Sequence, residues 1–442
     1  MKNNKSKLIQ NRKEDSSWFG LSNKNLFYTY CGFGILWLLN CFTVMKSHWA
    51  GDDWPNSQTP YWIQWRYGSL SLWNVLREAL FWNSQWMDGA GRFYPIHWIE
   101  SRFIFSYLRE HWEYKLYQTA SLALAGLLFS YVVYILSKSH TLSIATLMML
   151  SLTVQFRRDF DPHIAFAVML PSLLIRILLA ILCSYFAAKS QRTIKGVGFG
   201  FAAGILYFMA MSTYEFGFLL FPTLYFAFLI GSKDKSQVYE QYMNGKTMVL
   251  VSLSPRLLPI LFSWISYGIF VFGYLRPNAT SISGSYVLGL SWKSIPVFIS
   301  QAFMGLPGLA FRGQDFRTSF STLAIVVIVV WISKKTFKSF DGYVGKQEIV
   351  NQNGNPDQNL KSRTGSNSVL LIFISLNLIL APGFMMSMQP SWWGRADLAH
   401  SYLGVMITEF GTALLLSVLL LKSPFLREYR QVSRIRNRKR KK

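Results

Sequence analysis

The stretch LFYTYCGFGILWLLNCFTVM (residues 26–45), followed by KSHWAGDDWP (46–55), decides the fold. Its first part is an uncharged run long enough to cross a hydrocarbon layer of ~30 Å as a helix. Lys2, Lys5, Lys7, Arg12 and Lys13 precede it, which predicts a cytoplasmic amino terminus. The run sits where a signal sequence would. It is longer than a typical h-region, however, and no small-residue cleavage site follows, so it reads as a retained signal anchor. Just beyond stand Asp52 and Asp53. Two adjacent carboxylates at the outer mouth of a first membrane helix are expensive to desolvate and poor anchors, which points to binding or chemistry.

Further apolar runs follow at 116–136, 141–156, 165–187, 196–213, 216–231, 256–275, 318–333, 369–387 and 401–421. With the first they make ten, an even number that returns the carboxyl terminus to the cytoplasm. A run near 294–311 contains Pro296 and Pro307 and favours a re-entrant or interfacial segment, an eleventh span being the alternative. The expected fold class is all-α, a polytopic transmembrane helical bundle. Composition agrees: 51% of the 442 residues are hydrophobic and 15% charged, against roughly 25% charged in a soluble domain. The expected organisation is a basic amino terminus (1–25), a membrane-embedded domain (26–421) with a cytoplasmic linker at 334–368, and a basic tail (422–442).

The net charge of +24 raises the question of nucleic acid. About 30 of the 45 Lys and Arg fall in segments predicted to be inside, the tail REYRQVSRIRNRKRKK (427–442) above all. That is a topology signal touching anionic lipid, so membrane lipids rather than nucleic acid are the expected partner. Cys31, Cys41 and Cys183 all lie within apolar runs, which argues against a disulfide framework or a metal cluster.

Residues 46–115 form a long outer loop holding nine of the 16 tryptophans, a density suited to the headgroup layer. Leu72, Leu76 and Leu80 share a helical face with Trp73 and Ala79, while Asn74, Arg77 and Glu78 fall elsewhere. That pattern predicts a helix lying on the membrane surface, and a second is expected from His97 to about Tyr114.

The topology sends several polar groups to one outer face: Asp52-Asp53-Trp54, Gly91-Arg92, Arg157-Arg158-Asp159, Asp161-Pro162-His163, Tyr214-Glu215 and Ser285-Tyr286, with Glu409 in the outer half of the last span. A carboxylate there can act as general base on an incoming hydroxyl. If a sugar leaves a lipid phosphate, arginines such as Arg92, Arg157 and Arg158 can hold that phosphate. Trp54, Asp161, Glu215 and Tyr286 are supporting candidates. Each group has a plainer alternative. Asp52-Asp53 can cap the following helix, Arg92 can snorkel at the interface, and Arg157-Arg158 can neutralise Asp159 and Asp161. A partner arginine would make Glu215 structural. His97 and His163 read as hydrogen-bonding residues rather than ligands. No His/Cys spacing supports a transition metal; a divalent cation at Asp52-Asp53 is a further option.

The arrangement of nearly the whole chain resembles the GT-C superfamily of integral-membrane glycosyltransferases. The closer likeness is to bacterial multi-span members whose first outer loop reads Asp-Asp-aromatic and then Gly-Arg, here Asp52-Asp53-Trp54 and Gly91-Arg92. Asp161-Pro162 and Tyr214-Glu215 are also similar to elements of such proteins. The resemblance implies a transferase using a polyprenyl phosphate sugar donor, an acceptor on the outer face, inversion, and a catalytic Asp mapping to Asp52 or Asp53, with Asp52 slightly favoured. Bacterial members often modify cell wall polysaccharide, teichoic acid or O-antigen. Larger members carry a soluble extracellular domain that this chain lacks. Competing readings are a flippase for lipid-linked saccharides, a polysaccharide polymerase and an inactive scaffold. A flippase needs ionisable residues deep in several spans, and Arg176 is the main one here.

Overall fold

Why the runs become helices follows from their environment: in hydrocarbon every backbone polar group must be satisfied within its own segment. The computed structural model describes residues 24–49, 52–154, 163, 165–235, 254–279, 288–289, 291–303, 358–390, 393 and 404–422. They are mostly helical, with no strand among them. We number the helices α1 (Lys24–Phe42), α2 (Asp53–Ser57), α3 (Thr59–Tyr67), α4 (Leu72–Ala90), α5 (Pro95–Tyr107), α6 (His111–Ser137), α7 (His140–Thr153), α8 (Met169–Lys189), α9 (Thr193–Met211), α10 (Phe221–Lys235), α11 (Leu258–Asn278), α12 (Ser294–Phe303), α13 (Gln358–Ser387) and α14 (Val405–Lys422).

Seven segments are long and apolar enough to cross a membrane: Phe27–Lys46, α6, α8, α9, Glu215–Ser232, α11 and Ser368–Ser387. Two shorter apolar helices, α7 and Val405–Leu421, accompany them. The chain is a helical membrane protein. The expected span at 318–333 lies outside the described residues, as does the part of the 294–311 run beyond Phe303.

The outer loop is helical, in four pieces. In α4, Leu72, Trp73, Arg77 and Leu80 are exposed while Asn74, Val75, Glu78, Ala79 and Asn83 are buried, so Arg77 joins the outward residues and Ala79 turns inward with the polar groups. Ser71 caps this helix by accepting from Asn74 N–H. The helix expected from His97 to Tyr114 is instead broken at 108–110. Glu110 caps α6 and Glu113 bonds back to its N–H in a capping box, which starts a new helix there.

The main core is formed chiefly by α6, α8, α9, α10, α13 and α14, with Leu122, Leu174, Ile177, Tyr207, Leu224, Leu378 and Phe410 all buried. The α1 helix joins it through Trp37, whose indole N–H donates to Ala123 O of α6 at 3.0 Å. Gly126 sits beneath that ring, and a Cβ there would lie 2.3 Å from it. Gly126→Leu is therefore expected to cost about 1–3 kcal/mol by overpacking, read as earlier thermal unfolding in detergent; an unchanged transition would refute the α1–α6 contact. Beside α9, Arg256 donates to the carbonyls of Ala187 and Ser190 at 3.3 and 2.9 Å, a cation closing the carboxyl end of α8. The α11 helix passes through a π-helical stretch, Ile269–Leu275, before reaching Arg276.

Candidate active site

The acidic pair divides. Asp53 opens α2 and is completely buried. Its Oδ2 accepts from the Tyr114 hydroxyl at 2.5 Å. The Tyr114 ring is stacked between Trp49 (5.1 Å) and Phe105 (5.0 Å), which fixes its hydroxyl. Lys115, next in α6, is also fully buried, and Asp53 is the opposite charge acting on it. Its Nζ donates to Gln118 Oε1 at 3.1 Å. Asp52 differs in every respect. It is exposed, it stands at the N-cap of α2 without making a side-chain cap hydrogen bond, and while its carbonyl accepts from Asn56 N–H, its carboxylate has no partner among the described residues. Partial burial of its carboxyl raises its pKa above the ordinary Asp value. Trp54 beside it is 63% exposed.

A second cluster surrounds Glu215, which is buried. Arg92 Nε lies 2.9 Å from its Oε1, Arg276 Nη2 lies 2.7 Å from its Oε2, and Tyr94 OH donates to Oε1 at 2.6 Å. Gly91 explains how Arg92 arrives there. At φ +62 it ends α4 in the left-handed conformation, with Gly91 N–H on Met87 O and Arg92 N–H on Trp86 O, a Schellman-type stop. A Cβ at Gly91 would also lie 2.7 Å from Arg276 Cα. Glycine is thus demanded twice, by the turn and by the approach of α11. Tyr94 and Phe105 cap opposite ends of the α5 stretch, 11 residues apart, or roughly 16 Å of helix rise. The Asp53 and Glu215 clusters therefore occupy opposite ends of α5.

Two more pairs, one buried and one half-buried, tie connecting segments to the apolar helices. His163 Nε2 meets Glu409 Oε2 of α14 at 2.9 Å, both side chains fully buried. Arg176 of α8 pairs with Glu100 of α5, and Ser172 and Thr213 join them. Between the clusters, Arg102 donates to Thr59 Oγ1 at 2.6 Å and to Asn56 Oδ1 at 3.1 Å, and it lies 4.8 Å from the Trp98 ring.

His97, one turn before, is held neutral: burial and the charges of Arg102 and Arg176 lower its pKa to about 3. Its unfolded value is 6.5, so below that pH the unfolded chain binds a proton that the folded one refuses. Folded stability is expected to fall as pH drops from about 6.5 towards 3, by at most ~1.4 kcal/mol per pH unit from this residue. Acid unfolding curves of His97→Gln should be flatter over that window; parallel curves would refute the buried neutral state.

Of the sequence candidates, Arg157, Arg158, Asp161 and Tyr286 lie outside the described residues. Asp52 and Asp53 stand together, while Arg92 is joined to Glu215 rather than to them. Tyr114, Lys115 and Arg276 carry no mark in the sequence reading. The Glu-x-x-Glu start of α6 would have placed the first two at a helix entrance. Among the described residues no group of three or more His, Cys, Asp or Glu could hold a metal ion. Compared with protein-family models, curated proteins and solved structures, the chain matches none.

Proposed function

We propose that the chain is a hexosyltransferase-like glycosyltransferase of the cell membrane that uses a polyprenyl-phosphate sugar, with Asp52 as general base. The observation that carries this reading is the opposite state of two adjacent carboxylates. Asp53 is sealed and charge-paired, whereas Asp52 is exposed, its carboxylate without a partner among the described residues, and raised in pKa. A base needs that freedom, and a raised pKa brings it nearer the working pH. In the step, Asp52 takes the proton of the acceptor hydroxyl as its oxygen bonds to the anomeric carbon. The anomeric C–O bond to phosphate breaks, and its electron pair leaves on the polyprenyl phosphate with inversion. The acceptor is a cell-surface glycan, lipid or cell-wall polymer.

The layout that goes with this reading is ten spans, both termini cytoplasmic and the site extracytoplasmic. Arg92, sealed against Glu215, serves structure, so holding the donor phosphate passes to Arg157 and Arg158. A flippase is less favoured because Arg176 and Glu409 are each held in a pair, with Glu100 and His163. The test is transfer from a radiolabelled polyprenyl-phosphate sugar in proteoliposomes. Protein-dependent transfer or sugar release supports the enzyme. Movement of labelled lipid between leaflets without turnover overturns it for the flippase.

A further inference from the structure

Lys115 is the group that the proposed reaction leaves unused, and its position is unusual. An ammonium with no solvent exposure, at the entrance of an apolar helix, requires both a counter-charge and hydrogen-bond acceptors. Gln118 Oε1 supplies one acceptor, and Asp53 supplies the opposite charge. The same Gln118 reaches Tyr114 OH with its amide at 3.5 Å, and Tyr114 donates to Asp53. Asp53 is therefore approached from α6 by a hydroxyl and a cation that are themselves linked through Gln118. The other titratable groups facing this knot are Asp52 on α2, His111 one turn before Lys115, and His48 beside His111. Trp49 and Phe105 close it with apolar rings.

We propose that Lys115 is a positioning residue for glycosyl transfer: acting through Asp53, it holds that carboxylate ionised and fixed, so that Asp52 alone receives the acceptor's proton. This rests on the function proposed above. With the charge on Lys115 removed, the buried Asp53 carboxylate loses the cation acting on it from α6 and its protonated form is favoured. The turn that presents Asp52 then loses its anchor.

The experiment uses the full chain in lipid nanodiscs, comparing wild type with Lys115→Met, Lys115→Arg and Lys115→Met/Asp53→Asn. The first readout is independent of turnover: the infrared C=O stretch of a protonated carboxyl group at neutral pH. Lys115→Met should show a new band that vanishes in the double variant and is absent with arginine. The second is transfer against pH. Lys115→Met should lose about 10²-fold in kcat, with its acid limb moved to higher pH and donor KM unchanged, and Lys115→Arg should recover most of the rate. A folded Lys115→Met without the band overturns the proposal, as does a rate loss with an unshifted limb. If Lys115→Met does not fold, the double variant decides. Recovery of folded protein on removing both charges supports the coupling, and failure equal to the single variant overturns it. A wild type that never transfers sugar while the band appears sinks the transferase reading and leaves the Lys115–Asp53 coupling standing.

Discussion

Asp52→Asn should leave a folded protein whose sugar transfer is reduced by about 10²–10⁴-fold, with donor binding retained. The side chain is exposed and uses no hydrogen bond to cap α2, so the amide costs the fold little. What it removes is the proposed proton acceptor itself. Asp53→Asn should behave differently, because it leaves Lys115 buried without its counter-charge and weakens the bond from Tyr114. The expected loss there is of folded protein first and of activity with it. Melting curves and transfer rates, measured on the same preparations, separate the two. Asp52→Asn with full activity would end the assignment of that residue as base.

Glu215→Ala is expected to lower folded stability by about 3–5 kcal/mol. Glu215 accepts from two guanidinium groups and one phenol, and all four residues are buried. Its loss strands Arg92 and Arg276 in a site that water does not reach. The triple change Arg92→Met, Glu215→Leu, Arg276→Met should be more stable than Glu215→Ala alone, since removing every charge leaves nothing uncompensated. Thermal unfolding in detergent reads both. A Glu215→Ala protein that melts with the wild type would show that the cluster does not hold α4, α11 and the Glu215 turn together.

Much of the bundle is legible in the sequence because lipid imposes one rule on every segment. Uninterrupted apolar length is enough to find α1, α6, α8, α9 and α13 without knowing their neighbours. Residues at span ends are harder. Arg276, Lys115 and Tyr114 look like interfacial anchors in one dimension, and only packing turns Arg276 inward to Glu215 and Lys115 inward to Asp53. The pairing of Arg92 with Glu215 rather than with the acidic pair has the same cause. Helix α5 separates Tyr94, beside Arg92, from Phe105, beside Tyr114, and no pattern in residues 95–107 announces that role. Gly91-Arg92 stands out in the sequence, but its glycine answers a helix stop and a close contact, and its arginine a carboxylate far along the chain.

That separation sets a timetable for assembly. Tyr94 and Glu215 are 121 residues apart, so at roughly 5–20 residues per second the ribosome needs about 6–24 s to supply the missing carboxylate. During that interval Arg92 has no Glu215 to enter with, and the outer segment waits in water or at the headgroups. It sets into place only after α9 has been inserted and the turn behind it delivered. Arg276 follows later still, so the cluster that joins α4, α11 and the Glu215 turn cannot close until residue 276 has been made.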